Sequence, residues 1–296
     1  MTVPHRYATA TALHDAIKVR AAAEAKRGQH DINQIRRHFA YDRFLTRLFL
    51  DPESTWVLKG GTGLLVRVPQ RARHTQDIDL YRHGEIERAH TELSAAANLD
   101  LGDFFSFDLE RTGALAGTTS GRRYKVVAYI GDIKFADFQI DAVVDSNMTG
   151  VPDRAPGLRP IDIDGLPTTT YRVYPVVDHL ADKLVAMTSR FAGDRSSTRF
   201  RDLVDIVLIA QTQTIDAEAL CTAVESERRH RNHQLPERLE LPDQTWVGGY
   251  AAIARTVTGF DVQNANDALE IAVALYRPVF DYTTAGTWEP STMEWI

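Results

Sequence analysis

The sequence is poor in cysteine and has no long apolar segment. Its 296 residues include one cysteine, Cys221, which cannot form a disulfide within the chain. A scaffold held by internal disulfides is therefore excluded, and a reducing cytoplasm is the expected compartment. No apolar run approaches the roughly 20 residues that a membrane helix needs, and the N-terminus lacks the apolar core of a signal peptide. We expect an unprocessed cytoplasmic protein with no membrane segment.

Two common kinds of catalytic pattern are also missing. The ten histidines include no pair with convincing metal-site spacing, and no Ser/His/Asp arrangement can be argued from spacing. The G-x-x-x-x-G-K-[ST] pattern of the ATPase phosphate loop does not occur. The sequence therefore gives no support to a histidine-based metal site, a serine nucleophile or an ATPase loop.

Charge is distributed unevenly along the chain. The formal net charge of −6 argues against a protein that coats nucleic acid over its whole surface. The first 50 residues nevertheless carry nine basic side chains against four acidic ones, and two basic pairs stand out, Lys26/Arg27 and Arg36/Arg37. Such a basic end favours contact with a polyanion on one side of the molecule, and a solvated helix face is the alternative.

The pattern of apolar residues predicts an α+β protein. Helical spacing covers 9–27 and 31–49, and Asp31 is a fair N-cap for the second helix. Aromatic and β-branched segments between about 51 and 165 predict a small mixed sheet with a few helices. A connector rich in Pro and Gly at 151–167 leads to a helical region that fills the last third. We predict three segments: 1–50, 51–165 and 166–296.

A pair of aspartates on one predicted strand is the first candidate site. Residues two apart on a strand point to the same face, so Asp77 and Asp79 project together with Cα atoms about 7 Å apart. Two carboxylates on one face repel each other unless a cation lies between them, and oxygen ligands of this kind suit Mg²⁺. An exposed, solvated pair is the alternative, because the D-x-D pattern alone is weak.

A glycine turn just before this strand strengthens the metal interpretation. Gly60 and Gly61 leave backbone N–H groups open to an anion, and the hydroxyl of Thr62 stands at the start of a predicted helix, where the dipole favours phosphate. Basic residues between the turn and the aspartates, which would neutralise a triphosphate, are Arg67, Arg71 and Arg73. The stretch therefore combines a phosphate cradle with a pair of metal-binding carboxylates.

Four sequence blocks in order resemble one protein family. KGGTGL and RHTQDIDL are followed by DHLADKLVA and RFRDLVDI. Together these blocks resemble the AbiEii/MenT nucleotidyltransferase toxins of toxin–antitoxin and phage-defence systems, over about residues 55–210. The resemblance implies the nucleotidyltransferase fold shared with DNA polymerase β. Segment 51–165 would then be its core, with basic helices before it and a helical region that completes the active site after it.

The resemblance also implies roles for individual residues. Asp77 and Asp79 match the metal-binding pair, and a third carboxylate is expected from a neighbouring strand, where Asp141 is preferred. The other candidates for this third ligand are Asp137 and Asp145. Mg²⁺ is the expected cofactor, with Mn²⁺ as an alternative. The expected contacts to the nucleoside triphosphate (NTP) are Lys59, Gly60, Gly61, Thr62, Arg73 and Lys183.

The later blocks supply a lysine and a carboxylate. Lys183 matches the family lysine that contacts the triphosphate, and a solvated lysine at the rim of a helix is the alternative. Asp205 is preferred as the family carboxylate because its spacing from Lys183 fits better, with Asp202 as the alternative. Either aspartate would otherwise hold Lys183 in place. We predict Asp77, Asp79, Lys183 and Asp205 as the catalytic set.

The resemblance implies transfer of a nucleoside monophosphate from an NTP to an RNA acceptor, the 3′ end of tRNA, which would block translation and growth. A cognate antitoxin is the implied partner, and the oligomeric state is not predicted. Thr75 shares its strand face with Asp77, so its phosphorylation is a candidate off-switch. Alternatives are transfer to a small molecule or a protein hydroxyl, and a catalytically silent module that binds nucleotide or RNA.

Overall fold

The computed structural model describes residues 7–28, 31–69, 75–115, 120–144, 147–191 and 195–296. These residues form a mixed α+β structure, which confirms the predicted class. The helices are α1 (Ala10–Gly28), α2 (Ile32–Leu48), α3 (Gly60–Arg67), α4 (Ile86–Asn98), α5 (Val176–Thr188), α6 (Phe200–Ala210), α7 (Ala217–His230), α8 (Thr245–Ala254) and α9 (Ala265–Phe280). The strands of the main sheet are β1 (Val57–Lys59), β2 (Asp77–Tyr81), β3 (Phe105–Ala114), β4 (Gly121–Ile130), β5 (Ile133–Val143), β6 (Asp153–Pro156) and β7 (Thr170–Val173).

Five further strands are only two or three residues long. They are β8 (Arg190–Phe191), β9 (Arg195–Ser196), β10 (Ile215–Asp216), β11 (Thr287–Glu289) and β12 (Glu294–Trp295). The described chain divides into two compact units. The first unit holds α1–α4 and β1–β7, and the second holds α5–α9 and the five short strands.

The seven strands of the first unit form one mixed sheet in the order β3-β4-β5-β2-β1-β7-β6. The pairs β2–β5 and β1–β7 are parallel, and the other pairs are antiparallel. Side chains alternate across the sheet, so that Ile78, Ile140 and Tyr124 are buried on one face. The residues next to them on these strands point to the opposite, polar face.

Helix α2 covers the apolar face of the sheet. Asp31 caps it as predicted, because its carboxylate accepts a 2.6 Å hydrogen bond from the backbone N–H of Asn33. Its aromatic side chains meet those of the strands: the Tyr41 ring lies 4.8 Å from that of Phe138. Burying one such ring contributes about 2 kcal/mol to stability. The helix is therefore held by the sheet as well as by its cap.

Two arginines of α2 correct the expected distribution of charge. Arg43 and Arg47 count toward the basic N-terminal end, but both are buried. Arg47 forms an ion pair of 2.6 Å with Asp103, and Arg43 pairs with Asp42. Buried charges require such partners because burial removes their hydration. The exposed basic surface of α1 and α2 is thus smaller than the sequence count indicates.

The predicted connector at 151–167 is partly wrong, because it contains strand β6. Asp153–Pro156 pairs antiparallel with β7 at the edge of the sheet. Proline is tolerated at a sheet edge, where a missing N–H costs no ladder hydrogen bond. A short strand with Pro in it has no periodicity of its own, so only the pairing with β7 reveals it.

In the second unit, α6 is surrounded by other helices. It packs against α5, α8 and α9, and its side chains from Leu203 to Ala210 are all buried. A helix buried on all sides over this stretch belongs in the interior of such a bundle, with Asp205 as its charged exception. Among the described residues, no helix has both the length and the hydrophobicity needed to cross a membrane.

Candidate active site

Four charged side chains form a row across the polar face of the sheet in the first unit. The strand registers set Lys59 of β1 opposite Asp79 of β2, and Asp79 opposite Asp141 of β5. On the next strand, β4, Arg123 stands opposite Asp141. Because partners in register share a face, the row places two adjacent carboxylates between two basic side chains.

Asp77, Asp79 and Asp141 form a cluster of carboxylates. One oxygen from each lies within 4.8 Å of the others, and all three residues are partly buried. Hydrogen bonds from two threonines orient Asp77: Thr75 donates to its carboxylate at 2.9 Å, and Thr62 donates to its backbone oxygen at 2.6 Å. Three oxygen donors at this spacing are able to hold a divalent cation.

The three candidates for the third carboxylate have different positions. Asp141 joins the pair, as preferred from the sequence. Asp137 is exposed and forms an ion pair of 2.5 Å with Lys134. The hydrogen bond from Lys134 holds the pKa of Asp137 below its usual value. Asp145 lies outside the described residues.

The glycine turn lets Asp79 lie against the backbone. Gly60 has φ +57°, a conformation that L side chains rarely adopt. A Cβ built on Gly60 would lie 1.7 Å from Oδ2 of Asp79, so no larger residue fits there while Asp79 stays in place. Gly60 also begins α3, whose N-terminal N–H groups favour negative charge. The turn therefore brings Asp79 and a helix N-terminus together.

Several of the predicted nucleotide contacts already interact with other residues of the protein. Thr62 is buried and its hydroxyl proton is used by the carbonyl of Asp77, which leaves its backbone N–H as the group for a phosphate. The ammonium of Lys59 lies 5.9 Å from the centre of the Tyr81 ring. Arg67 forms an ion pair of 2.6 Å with Asp153. Arg71 and Arg73 lie outside the described residues.

Thr75, the candidate phosphorylation site, is 4% exposed. Its hydroxyl donates to both the carboxylate and the backbone oxygen of Asp77. A modifying enzyme would have to expose this hydroxyl before it could act. Thr75 lies two residues before β2 rather than on the strand, and its phosphorylation stays a prediction that requires local opening of this segment.

Arg123 is the residue of this region that sequence reasoning missed. Its guanidinium binds Asp141 through two hydrogen bonds, Nε to Oδ1 at 2.7 Å and Nη2 to Oδ2 at 2.6 Å. These bonds and the charge of Asp141 raise the pKa of Arg123, and Asp77 and Asp79 add to the effect. The alternation of β4 indicated that Arg123 and Lys125 share a face, but the strand register, which the sequence does not give, decides that Arg123 meets Asp141.

Side chains of both charge signs influence the pKa of the buried Tyr41. Burial raises the pKa of this phenol above its usual value; Arg37 lowers it, while Asp77 and Asp79 raise it. The hydroxyl of Tyr41 has no hydrogen-bond partner among the described residues. Arg37 and the two aspartates therefore contribute to one local electric field within the first unit.

Lys183 and the later carboxylates form a buried cluster in the second unit. The ammonium of Lys183, on α5, lies 2.6 Å from Oδ2 of Asp205 and 3.3 Å from Oδ1 of Asp202, both on α6. Asp202 also pairs with Arg199. Lys183 is only 5% exposed, so it is not the solvated rim lysine that was the alternative. Both aspartates contact the lysine, and Asp205 is the nearer.

Comparison with known proteins identifies a nucleotidyltransferase. The profile of the family described as nucleotidyl transferase AbiEii toxin, type IV toxin–antitoxin system, matches residues 43–272. The chain belongs to this family, which confirms the predicted resemblance. It follows that its general activity is nucleotidyl transfer within a toxin–antitoxin system. No curated protein matches the chain.

Solved structures give a more distant comparison. The nucleotidyltransferase toxin MenT4 from Mycobacterium tuberculosis is 14% identical, with 92% of this chain and 99% of that chain covered and a TM-score of 0.49. The protein JHP933 from Helicobacter pylori is 16% identical, with 84% and 93% covered and a TM-score of 0.48.

Proposed function

We propose that this protein transfers a nucleoside monophosphate from an NTP to an RNA acceptor, the 3′ end of tRNA, with the help of Mg²⁺. The observation that carries the proposal is the cluster of Asp77, Asp79 and Asp141 beside the glycine turn at Gly60. In the reaction, a hydroxyl oxygen of the acceptor bonds to the α-phosphorus of the NTP. The bond from that phosphorus to the bridging oxygen breaks, pyrophosphate leaves, and the hydroxyl proton is released.

The three carboxylates fit Mg²⁺ because all their donors are oxygen atoms and they converge within 4.8 Å. Mn²⁺ accepts the same donors. When bound, the metal would neutralise phosphate charge and favour ionisation of the attacking hydroxyl. The threonines keep Asp77 oriented toward the cluster, and Gly60 keeps Asp79 there. Orientation of this kind is most of what nucleotidyl transfer requires of the protein.

The start of α3 and two lysines are the proposed contacts of the triphosphate. Backbone N–H groups of Gly61 and Thr62 lie in the first turn of α3, where phosphate is favoured. Lys59 stands one position before the turn. Lys183 is a proposed contact as well; to make it, the ammonium would exchange Asp202 or Asp205 for a phosphate oxygen.

A basic cavity supports an RNA acceptor. The cavity has a volume of about 440 Å³ and is lined by Asn33, Arg36, Arg37, Lys134, Phe135, Ala136 and Asp137. The guanidinium of Arg36 lies 4.9 Å from the centre of the Phe135 ring. Phe135 itself is buried, so the basic side chains of the cavity are the groups that suit RNA, because phosphates meet their positive charges.

Family membership supports a cognate antitoxin as the partner and growth arrest as the outcome. The cytoplasm is the proposed compartment because tRNA and NTPs occur there. A role in phage defence belongs to the same proposal. Phosphorylation of Thr75 is one proposed way to silence the enzyme.

The direct test is incubation of the purified protein with total tRNA and each α-labelled NTP in turn, read on a denaturing gel. Label in the tRNA band is expected with at least one NTP, and EDTA should prevent it. Label in a protein band or in a small product would replace the RNA acceptor by a protein or small molecule. An Asp77→Asn protein that still labels tRNA would contradict the metal-site assignment.

A further inference from the structure

Arg123 engages the carboxylate that the proposed function assigns to a metal ion. Its two hydrogen bonds occupy both oxygens of Asp141, at 2.7 and 2.6 Å. A paired, planar geometry of this kind is the strongest form of the arginine–carboxylate bond. The three carboxylates lie close enough to share a metal ion, yet one of them, Asp141, is already bound by the positively charged guanidinium of Arg123.

The positions of both groups allow the pair to open. The side chain of Arg123 is 44% exposed, whereas that of Asp141 is 14% exposed. Among the described residues, Asp141 is the hydrogen-bond partner of the Arg123 guanidinium, so the guanidinium can leave for solvent while Asp141 stays in the cluster. Because the guanidinium is partly open to water, water can take over its hydrogen bonds when the pair opens, which limits the cost of opening.

The positive charge of Arg123 is expected to weaken the binding of a divalent ion to the cluster. When ionised, the three carboxylates carry three negative charges; Arg123 cancels one of them, and Lys59, which stands opposite Asp79, cancels another. One divalent ion then more than neutralises the site, so metal is held best together with an anion such as a triphosphate. A +1 and a +2 charge about 5 Å apart repel each other enough to weaken binding on the order of tenfold, even at the dielectric constant of water.

We propose that Arg123 is a built-in competitor of the divalent cation: it holds Asp141 in the nucleotide-free protein and keeps the affinity of the cluster for metal low. The inference rests on the proposed function, because it assigns the three carboxylates to a metal ion. It adds a residue that no family motif supplied and a reason for metal to bind together with the negatively charged nucleotide.

The test measures binding of Mn²⁺ alone to the full-length protein without nucleotide, from the electron paramagnetic resonance signal of the free ion. Arg123→Gln should bind Mn²⁺ about tenfold more tightly than the wild type. Arg123→Lys keeps the charge but loses one of the two bonds, so its affinity should lie between them. Arg122→Gln is the matched control, since Arg122 is the neighbouring arginine on β4 and stands opposite Ala142. Its affinity should equal that of the wild type.

A second measurement tests whether the effect passes through Asp141. The gain from Arg123→Gln should shrink in an Asp141→Asn background, because the competitor then has no carboxylate to hold. A gain of unchanged size in that background would overturn the proposal, as would equal or weaker Mn²⁺ binding by Arg123→Gln. Weaker binding would mean that Arg123 positions Asp141 for the metal.

The same assay separates this proposal from the proposed function. Asp77→Asn should weaken Mn²⁺ binding in both the wild-type and the Arg123→Gln protein. If Asp77→Asn weakens binding but Arg123→Gln changes nothing, only the role of Arg123 is wrong. If neither the wild type nor Arg123→Gln binds Mn²⁺ in a way that depends on Asp77, the metal site is wrong and the role of Arg123 is wrong with it.

Discussion

The contact between Asp79 and Gly60 makes two residues depend on each other at the scale of single atoms. Gly60 supplies the turn between β1 and α3, and its missing side chain is the space that the Asp79 carboxylate fills. A glycine in this place has two separate effects, since it permits a positive φ and it permits the carboxylate to approach. Each effect can be tested by itself.

Gly60→Ala should lower nucleotidyl transfer at least tenfold and Mn²⁺ affinity with it, because the new Cβ displaces Asp79 from the cluster. The backbone strain at positive φ should add roughly 1–2 kcal/mol of destabilisation. The matched control is Gly102→Ala, because Gly102 has φ +68° with no atom within 4 Å of its Cβ position. It should lose stability and keep activity. Equal activity in both variants would contradict the displacement of Asp79.

Lys183 is expected to stabilise the fold of the second unit as well as to contact the triphosphate. Its ammonium lies between two buried carboxylates of α6, so removing it leaves them without their lysine partner. Lys183→Met should therefore destabilise the second unit by about 3 kcal/mol or more. Urea unfolding followed by tryptophan fluorescence would measure this, because the buried Trp246 and Trp288 lie in that unit.

The control for Lys183 is Lys134→Met, since Lys134 forms an exposed ion pair with Asp137. Its urea midpoint should not change measurably. A Lys183→Met protein that is as stable as the wild type and inactive would assign Lys183 to catalysis alone. If Lys183→Met is less stable, its loss of activity could come from the damaged fold. Triphosphate binding by Lys183 would then need a separate binding measurement.

Among the elements, α1 ends in a pair of exposed basic side chains. Lys26 and Arg27 are exposed in its last turn, in contrast to the buried Arg43 and Arg47 of α2. Lys26→Glu/Arg27→Glu should weaken tRNA binding and reduce the slope of log affinity against log salt by about two, one for each lost phosphate contact. Filter binding over a salt series measures both. Arg88→Glu on α4 is the control for an exposed charge elsewhere, and an unchanged slope in the α1 variant would make its basic end a solvated surface.

The longer elements were predictable because their signal is local. Helix α2 shows this: its cap Asp31 and its apolar spacing lie within the segment itself. The motif residues of β2 were predictable in the same way, since the alternation of DIDLY places Asp77 and Asp79 on one face.

Elements that depend on a distant partner were not predictable. Helix α8 contains Gly248 and Gly249, which argue for a turn when read alone. A Cβ on Gly249 would lie 2.4 Å from the ring of Phe200, so this glycine permits close packing of α8 on α6. The pairing of Arg123 with Asp141 likewise depends on strand register. In both, the cause is a contact between segments far apart in sequence.

At the scale of the whole molecule, the family motifs are divided between two units. The glycine turn and the D-x-D pair lie in the first unit, and Lys183 with its two carboxylates lies in the second. Membership in a toxin family predicts an effect of this protein on cell growth, which is a property of the molecule and not of any single residue. Growth is therefore the readout that belongs to this scale.

Production of the wild-type protein in a bacterial host without an antitoxin should arrest growth, and Asp79→Ala should abolish the arrest at equal protein level. Asp141→Ala should act in the same direction, because Asp141 belongs to the carboxylate cluster. Asp137→Ala is the matched control on the same strand: its carboxylate is exposed, and removing a negative charge from the basic cavity does not weaken RNA binding. Cells that make this variant should stop growing. If Asp137→Ala relieved the arrest and Asp141→Ala did not, the third carboxylate would be Asp137, and the pair of Asp141 with Arg123 would have no part in the toxicity.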